Sequence, residues 1–491
     1  MNNKRRIIFR ADGNSHIGLG HVVRSLALAA MLREEFECVF AIQAPTYELQ
    51  EQIRKVCHGI IHLPLCAPTE ERFIHELDAY ISAEEMVVLD SYDFNATYQE
   101  SIKSKGCPLV CIDDIQAFHF LADAIVNPAG GVKPHLYSRS SYTKLLLGPK
   151  YALLRSPFLK ASKTERMLPE GKPAILLNLG GADPGNKTLH LAKELVQSRG
   201  IERLNIVVGA AYRHLVELQS WLQDKEQVIL HHNLSAAKLQ DLMQQCAFAV
   251  TSASGVAYEY AAVGGILSVL QTADNQDALY HFLIESGVAH EYQDLPQLLS
   301  NNSLKKHFQE QVATQRQHFD GHSDVRLKQL FRKLSLGASL NLRAATEQDM
   351  MQLFNWASDP EVRKNSFNQN PITLENHTRW FHTVMEDEQT VLYIAEANGK
   401  PVAHIRFNIS AGKAMISYLI DADFRGQGLG LHLLQKGMQA LAAQRKDVEQ
   451  IEGLVQRENI ASVRSFEKAG FSYGQPDRQY PEAHRFILPL K

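Results

Sequence analysis

Phe9-Arg10-Ala11-Asp12-Gly13-Asn14-Ser15-His16-Ile17-Gly18-Leu19-Gly20-His21-Val22-Val23-Arg24 is the stretch from which the first half of the chain is read. Ile7, Ile8 and Phe9 make a short apolar strand that runs into a glycine-bearing loop. The loop delivers His21 to the opening turn of a helix. Glycines let the backbone approach a ligand, and a helix N-terminus offers free amides to negative charge. The positive end of the helix dipole disfavours an imidazolium, so His21 is expected to work as a neutral proton acceptor. This is the layout of a reaction centre.

The totals set the frame. A chain of 491 residues corresponds to roughly three domains of ordinary size. The hydrophobic fraction of 45% and charged fraction of 21% are those of a globular protein with real cores. A formal net charge of −3 gives no reason to expect nucleic acid or a membrane surface as partner. The basic start, Met1 to Arg6, precedes an apolar run too short for a signal peptide, and no stretch approaches the roughly 20 apolar residues of a membrane span. The six cysteines lack zinc-ligand pairing, and Cys107 and Cys111 flank a strand where packing is the plain reading. A reducing cytoplasm fits.

From Lys4 to Leu147, apolar runs at 6–11, 37–42, 59–63, 86–90, 108–113 and 123–127 alternate with helical segments at 20–33, 46–56, 69–82 and 95–105. That rhythm predicts a parallel sheet covered by helices. After a crossing segment at Gly148 to Arg155 it restarts, with strands at 174–179, 204–208, 228–230, 247–250 and 266–270. Helices are expected near 187–198, 212–222, 235–244 and 255–263. Two such halves place ligands at the carboxyl ends of their strands. The texture changes near 337–340, and Thr346 with Asp349 reads as a capping box. Helices at 346–357 and 373–386 follow, then strands at 391–397, 401–408 and 414–421. The chain ends as strand, helix, strand at 450–456, 459–468 and 471–473. The expected domains are therefore 1–150, 151–336 and 341–491.

Two loops in the second half carry the next signal. Asn178-Leu179-Gly180-Gly181-Ala182-Asp183-Pro184-Gly185-Asn186 lies between strand and helix, where glycines also serve plain turns. Thr251-Ser252-Ala253-Ser254-Gly255 has small residues that expose the amides of the following helix, which suits a phosphate. Glu259 falls one turn into that helix, where its carboxylate could accept two ribose hydroxyls or simply face water. Asn275 follows the next strand, where a nucleotide edge could be met.

These words, with VLDSYDF at 88–94, CIDD at 111–114 and LLGPKYALLR at 146–155, make residues 1–335 resemble the UDP-sugar hydrolases of pseudaminic acid biosynthesis, the PseG family. A more distant resemblance is to the MurG glycosyltransferases. The resemblance implies an α/β fold with a GT-B-type pair of Rossmann-like domains. It also implies hydrolysis of UDP-2,4-diacetamido-2,4,6-trideoxy-β-L-altrose by water attack at C1 with inversion. His21 takes the position of that family's active-site histidine, assigned to activate or orient the water. Gly18 and Gly20 open the loop around the sugar and diphosphate. Asp12 and Asn14 either bind sugar groups or cap the turn. Asp90 and Tyr92 end a strand facing the cleft, in a supporting or positioning role. Ser252, Ser254, Gly255 and Glu259 are assigned to UDP, joined by Gly180, Gly181 and Asn275. No metal is expected.

Asp423-Phe424-Arg425-Gly426-Gln427-Gly428-Leu429-Gly430-Leu431 has the R-G-x-G-x-G shape of a pyrophosphate loop opening a helix. Asn459-Ile460-Ala461-Ser462 to Phe471 completes an N-x-A-S-x-x-x-(Y/F)-x-K-x-G-F pattern. Residues 341–491 thereby resemble the GNAT acyltransferases, and ITLENHTRWF at 372–381 narrows the likeness to PseH-like 4-amino-sugar acetyltransferases. The implied co-substrate is acetyl-CoA, held by Arg425, Gly426, Gln427, Gly428, Gly430 and Asn459 in an α+β domain. Phe466 stands where a tyrosine acid is common, which leaves Tyr418 and Tyr473 as candidates. Glu458 is the sequence-placed base; His404, Met415 and Trp380 read as packing.

The combined expectation is one cytoplasmic chain that acetylates the 4-amine of UDP-4-amino-4,6-dideoxy-β-L-AltNAc and then releases UDP. Its partner is the small-molecule UDP-sugar, with room for other enzymes of the same pathway. Alternatives are a related nonulosonate hydrolase with acyltransferase, a glycosyltransferase using the same nucleotide half, or a non-catalytic UDP-sugar-binding protein.

Overall fold

Short apolar runs separated by amphipathic helices fold here into two parallel sheets, followed by an α+β unit. The computed structural model describes residues 4–13, 19–171, 173–181, 183–198, 201–273, 276–300 and 303–490. In the first sheet the strands are β1 (Arg6–Ala11), β2 (Glu37–Gln43), β3 (Gly59–Leu63), β4 (Met86–Asp90), β5 (Leu109–Ile112), β6 (Ala124–Asn127) and β7 (Lys144–Leu147). All pair in parallel, in the order β3-β2-β1-β4-β5-β6-β7. The second sheet holds β8 (Ala174–Asn178), β9 (Arg203–Val208), β10 (Val228–His232), β11 (Phe248–Ser252), β12 (Ile266–Leu270) and β13 (His290–Glu291). Its order, β10-β9-β8-β11-β12-β13, repeats the same plan. Both sheets start from a central strand, wind outward, then reverse, which is the Rossmann-like arrangement.

Burial explains the strand sequences. Ile7, Ile8 and Phe9 are completely buried, as are Ile175, Leu176 and Leu177 of β8. A parallel sheet with helices on both faces needs such continuous apolar runs. Each of these large side chains contributes about 1.5–3 kcal/mol on leaving water.

Four helices frame the sites: α1 (Gly20–Leu32), α2 (Lys187–Gln197), α3 (Gly255–Val263) and α4 (Leu304–His318). The carboxyl end of α3 is closed by arginines. Arg316 donates to Ala262 O at 2.6 Å and Val263 O at 3.0 Å, and Arg166 donates to Gly264 O at 2.8 Å. On α4, buried Gln315 donates to Gly265 O and accepts from Gly265 N, and Gln311 accepts from Leu267 N. The amino end of α3 carries no such side-chain cap.

The last unit begins within helix α5 (Ser323–Ala338) and contains β14 (Leu340–Ala344), α6 (Met350–Ala357), α7 (Leu374–Glu386), β15 (Thr390–Ala397), β16 (Lys400–Ser410), β17 (Lys413–Ile420), α8 (Leu429–Gln444), β18 (Gln450–Gln456), α9 (Ile460–Lys468), β19 (Ser472–Tyr473) and β20 (Ala483–Pro489). The sheet order is β14-β15-β16-β17-β18-β20-β19. Thr346 and Asp349 form the expected capping box. By its internal contacts the chain divides into Met1–Ser138 with Lys144–Gln329, and Arg139–Thr143 with Leu330–Lys491. Among the described residues, no helix is long and apolar enough to cross a membrane.

The structure departs from the sequence reading in several places. The helix expected at 69–82 is a single turn, Glu71–Ile74. Beyond it the backbone bonds three residues back, as in Asp78 N to His75 O, while Glu76 turns inward to Arg10. The ion pair overrides a helical apolar spacing. Strand β20, absent from the reading, inserts between β18 and β19. Helix α5 ends at Ala338 and β14 begins at Leu340. Gly337 is a helical glycine against the His432 ring, where a Cβ would meet Cδ2 at 2.2 Å.

Close packing also fixes the loop after β8. A Cβ at Gly209 would sit 2.6 Å from the carbonyl oxygen of Gly181. Gly209→Ala should therefore destabilise the chain by about 1–3 kcal/mol. Thermal denaturation beside Gly59→Ala, where a Cβ meets only methyl groups at 3.7 Å or more, checks this.

Candidate active sites

The first site is built at the point where the winding of the first sheet reverses. Strands β1 and β4 lie side by side there, and Ala11 is in register with Asp90. Open α/β sheets bind ligands outside the carboxyl ends of strands at such a point. Helix α1 begins just beyond β1 and presents His21, Arg24 and Ser25 on one face, as a spacing of three and four residues requires. All three converge on Asp90. His21 Nδ1 lies 2.7 Å from Asp90 Oδ1, Arg24 Nε lies 2.9 Å from Oδ2, and Arg24 Nη2 lies 2.7 Å from Oδ1. Ser25 Oγ donates to Oδ2 at 3.0 Å.

The Asp90 side chain is fully buried. Burial alone would raise its carboxyl, but the charge of Arg24 and the hydrogen bonds from His21 and Arg24 prevail and hold it below the ordinary value. The Arg24 guanidinium is raised correspondingly by Asp90 and Asp114 against the effect of burial. Its Nη1 reaches Asp114 Oδ2 at 2.6 Å. Arg24 Nη2 also lies 3.0 Å from His21 Nδ1. We assign the proton of His21 to Nδ1, because the charge-assisted bond to Asp90 is the stronger. Nε2 then keeps a lone pair. The edge of the imidazole meets the Tyr92 ring at 4.7 Å between centroids, nearly perpendicular.

Of the other residues singled out in the first half, Asp12 is occupied. Its carboxylate lies 2.7 Å from Arg10 Nη1 and accepts from Gln43 N at 2.9 Å. Gly20 opens α1, and a Cβ there would meet nothing within 4 Å. Asn14, Gly18 and Asn275 lie outside the described residues. Arg24 and Asp114 were missed by the sequence reading. The helical spacing from His21 to Arg24 was the available signal.

The second site lies at the matching reversal of the second sheet, where Asn178 of β8 pairs with Thr251 of β11. Asn178 Oδ1 accepts from Gly180 N at 2.9 Å, and Gly180 has φ +98°, which turns the chain sharply. Asp183 then caps α2 by accepting from Thr188 N at 2.7 Å. Ser252 and Ser254 share a hydroxyl hydrogen bond of 2.9 Å at the mouth of α3. A Cβ at Gly180 would lie 3.9 Å from Ser252 Oγ, so the two loops adjoin. Glu259 faces Arg155, with Oε1 at 2.6 Å from Nε and Oε2 at 2.7 Å from Nη2. Burial raises the Glu259 carboxyl, and Arg155 offsets only part of that. Each oxygen retains a second lone pair for a hydroxyl donor. Tyr258, beside it, accepts from Gly130 N at 3.0 Å and donates to Pro128 O at 3.2 Å, joining α3 to the loop after β6. A cavity of about 450 Å³ lined by Lys187, Gln271, Thr272, Ala273 and Asp277 lies beside these loops. A second, of about 500 Å³, is at the opposite ends of β2 and β3 and touches none of these residues.

In the α+β unit, β17 and β18 pair in parallel only from Lys413–Gln450 to Ile416–Gly453. Beyond that register they separate, and α8 starts at the open end. Gly428 precedes α8 with φ +86°, and no side chain caps the helix. The free amides there can hold an anion. Arg425 is directed elsewhere: Nη2 lies 2.9 Å from Asp359 Oδ1 and Nη1 lies 2.9 Å from Glu361 Oε2. Gln427 Nε2 donates to Asp423 O at 2.9 Å. Gly430 packs on α9, where a Cβ would lie 2.6 Å from Ser465 Oγ. Asn459 caps α9 by accepting from Ser462 N at 3.2 Å.

Of the two tyrosines, Tyr418 donates to Ser462 Oγ at 3.1 Å and adjoins Gly430, whereas Tyr473 is exposed and donates to Glu467 at 2.7 Å. Burial pushes the Tyr418 phenol up. Phe466 stacks on Phe486 and packs beneath Gly453. Glu458 is exposed on the turn after β18. His404 stacks on Trp356, and burial with the charges of Arg406 and His377 pushes it down to about 3. Glu452, missed from sequence, is a buried carboxylate held by Arg485, Lys413 and Gln450.

Residues 339–472 match the acetyltransferase (GNAT) domain family. The chain is similar to an uncharacterized protein of Methanocaldococcus jannaschii, 22% identical over 501 aligned residues that cover 96% of this chain and 98% of that one. It is also similar to the UDP-2,4-diacetamido-2,4,6-trideoxy-beta-L-altropyranose hydrolase of Campylobacter jejuni, 26% identical over 303 residues, 58% of this chain and 99% of the relative. Among solved structures, aminoglycoside acetyltransferase AAC(6')-Ib with coenzyme A is 24% identical, with a TM-score of 0.28, covering 31% of this chain and 95% of that one. The first part of the chain thus resembles a UDP-sugar hydrolase, and residues 339–472 match a GNAT domain.

The buried Asp90 pair gives a pH signature. Because its folded carboxyl is depressed, the stability it adds is fully present above about pH 4 and is lost as pH falls through the depressed value. Asp90→Asn should cost about 3 kcal/mol, since Arg24 is left without its main partner. The mutant's melting temperature should depend less on pH below about 4 than that of the parent, as melting curves across acid pH check.

Proposed function

We propose that this chain is a bifunctional enzyme of UDP-sugar metabolism. Its GNAT domain acetylates the 4-amine of UDP-4-amino-4,6-dideoxy-β-L-AltNAc, and its first unit hydrolyses the resulting UDP-2,4-diacetamido-2,4,6-trideoxy-β-L-altrose. The observation that carries the hydrolase reading is the His21–Asp90 contact of 2.7 Å at the reversal point of the first sheet. Asp90 orients the ring and offsets the positive charge that His21 gains, so Nε2 can take a proton from water. The oxygen attacks C1, the C1–O bond breaks, and the electron pair leaves with the UDP diphosphate. Ser252, Ser254 and the amides opening α3 meet that diphosphate, Gly180 and Gly181 border it, and Glu259 offers its remaining lone pairs to the ribose. The similarity to a hydrolase of this named substrate in Campylobacter jejuni supports the choice of sugar.

For the GNAT domain, the acetyl-CoA pyrophosphate would lie on the amides of Gly426 to Gly430. The 4-amine, once deprotonated, attacks the acetyl carbonyl and the thiolate leaves. Tyr418, beside Gly430 and Ser462, is the assigned acid that returns a proton to sulfur, and Glu458 is the assigned base through water. Arg425 serves by fixing the loop to Asp359 and Glu361, and Asn459 by starting α9.

The direct test is incubation with acetyl-CoA and the 4-amino substrate, followed by identification of the released sugar. Free diacetamido sugar without any acceptor supports hydrolysis over glycosyl transfer; UDP bound without turnover sinks the enzymatic reading. His21→Asn should lower UDP release by about 100–10,000-fold while leaving UDP affinity unchanged in calorimetry. Gly428→Trp should abolish acetyl transfer yet spare UDP release from the acetylated sugar, measured in separate assays.

A further inference from the structure

Side chains alternate along β16, so Ala403, Ile405 and Phe407 enter the core shared with α8 while His404 and Arg406 lie on the opposite face. On that face His404 stacks on Trp356 of α6, and the Arg406 guanidinium lies 5.3 Å from the centre of the Trp380 ring of α7. Arg406 is half-buried, and its Nε is shut off from water without a hydrogen-bond partner, as is Nδ1 of His404. Burial lowers the guanidinium, and no carboxylate acts against it. Asp349 is engaged by Arg343, and Asp421 by the Trp356 indole. A cation withdrawn from water in this way is costly unless an anion meets it, and the Trp380 ring offsets only part of that cost.

Strand register places Arg406 beside the point of acetyl transfer. It faces Ser417 across the β16–β17 pair, and Ser417 is the first residue of β17 beyond Ile416, where pairing with β18 stops. Neighbouring strands lie about 4.8 Å apart, so Arg406 stands one strand away from the opening between β17 and β18. We propose that Arg406, with His404 beside it, holds the diphosphate of the nucleotide sugar while the sugar's 4-amine reaches that opening. The proposal rests on the acetyltransferase reading of this unit. A pyranose carries its C1 and C4 substituents on opposite sides of the ring, so a diphosphate fixed one strand away directs the amine towards the opening. The forked donors of a guanidinium suit phosphate oxygens, and the neutral His404 ring adds a hydrogen bond without charge. The two diphosphates of the reaction then have separate holders: the amides opening α8 for acetyl-CoA, and Arg406 for the acceptor.

The test follows acetyl transfer by the full chain to UDP-4-amino-4,6-dideoxy-β-L-AltNAc and to the same amino sugar without UDP. The parent should favour the UDP-sugar. Arg406→Gln should raise KM for it by about 10–100-fold, the range for a hydrogen bond to a charged group, and should lower the kcat/KM ratio of the two acceptors by the same factor. KM for acetyl-CoA and UDP release by the first unit serve as controls, with circular dichroism confirming the fold. Arg406→Lys keeps a point charge without the fork, so its ratio should fall less; it serves alone if the glutamine variant does not fold. Equal losses on both acceptors, or an unchanged ratio in folded variants, would overturn the diphosphate assignment and leave the acetyltransferase reading standing. No transfer to the UDP-sugar by the parent would overturn that reading and the assignment with it.

Discussion

A carboxylate buried without water must be neutral or surrounded by donors, and Asp90 is surrounded. Removing such a charge from solvent costs several kcal/mol, which only well-placed partners offset. The partners here are His21, Arg24 and Ser25, all on one face of α1. Their demand fixes the rotation of α1 about its axis and its distance from β4. It also sets the imidazole orientation and, through Arg24, the position of Asp114. A second buried ionic cluster sits on the neighbouring strand. Arg10, fully buried, engages Glu76 at 2.7 Å, and Glu76 also accepts from Tyr98 and Gln43. The same Arg10 holds Asp12, so the end of β1 is tied on one side and the start of α1 on the other.

The second half solves a different problem with the same topology. Helix α3 begins without a side-chain cap, while its far end is closed by Arg166 and Arg316. Charge is placed where the helix dipole favours it, with cations at the carboxyl terminus and room for an anion at the amino terminus. Glu259 pairs with Arg155, which keeps a carboxylate in a place where burial disfavours its charge. On the function proposed above, the halves separate two tasks: a histidine held for proton transfer, and a helix end left open for a leaving diphosphate.

Strand rhythm and glycine-rich loops were legible because both are local. An apolar run such as Ile7 to Phe9 reports its own burial, and a loop such as Arg425 to Gly430 reports its own turn. What was not legible depends on distant partners. The inward turn of Glu76 cannot be seen from residues 69–82, since Arg10 lies more than 60 residues away. Likewise, Asp12, Arg425 and Asn459 carry the right chemistry for ligands, yet in the structure they hold protein atoms. Arg24 was hidden for the opposite reason. Long basic residues on helices are commonly solvated, and only the position of Asp90 distinguishes this one.

Glycines sharpen the argument for ligands at these loops. Gly180 and Gly428 have backbone conformations that other residues adopt only with strain. Gly209, Gly430 and Gly453 lie against atoms that a side chain would strike. Gly20, Gly181 and Gly255 satisfy neither condition: their backbones are ordinary and a Cβ would meet nothing within 4 Å. The protein itself gives no reason for glycine at these three positions, where any other residue would also lower the entropy lost on folding. All three stand at the carboxyl ends of the parallel sheets, one beside His21 and two at the mouth of the α2–α3 loops. On the function proposed above, these are positions where a UDP-sugar lying across both loops would come close to the backbone.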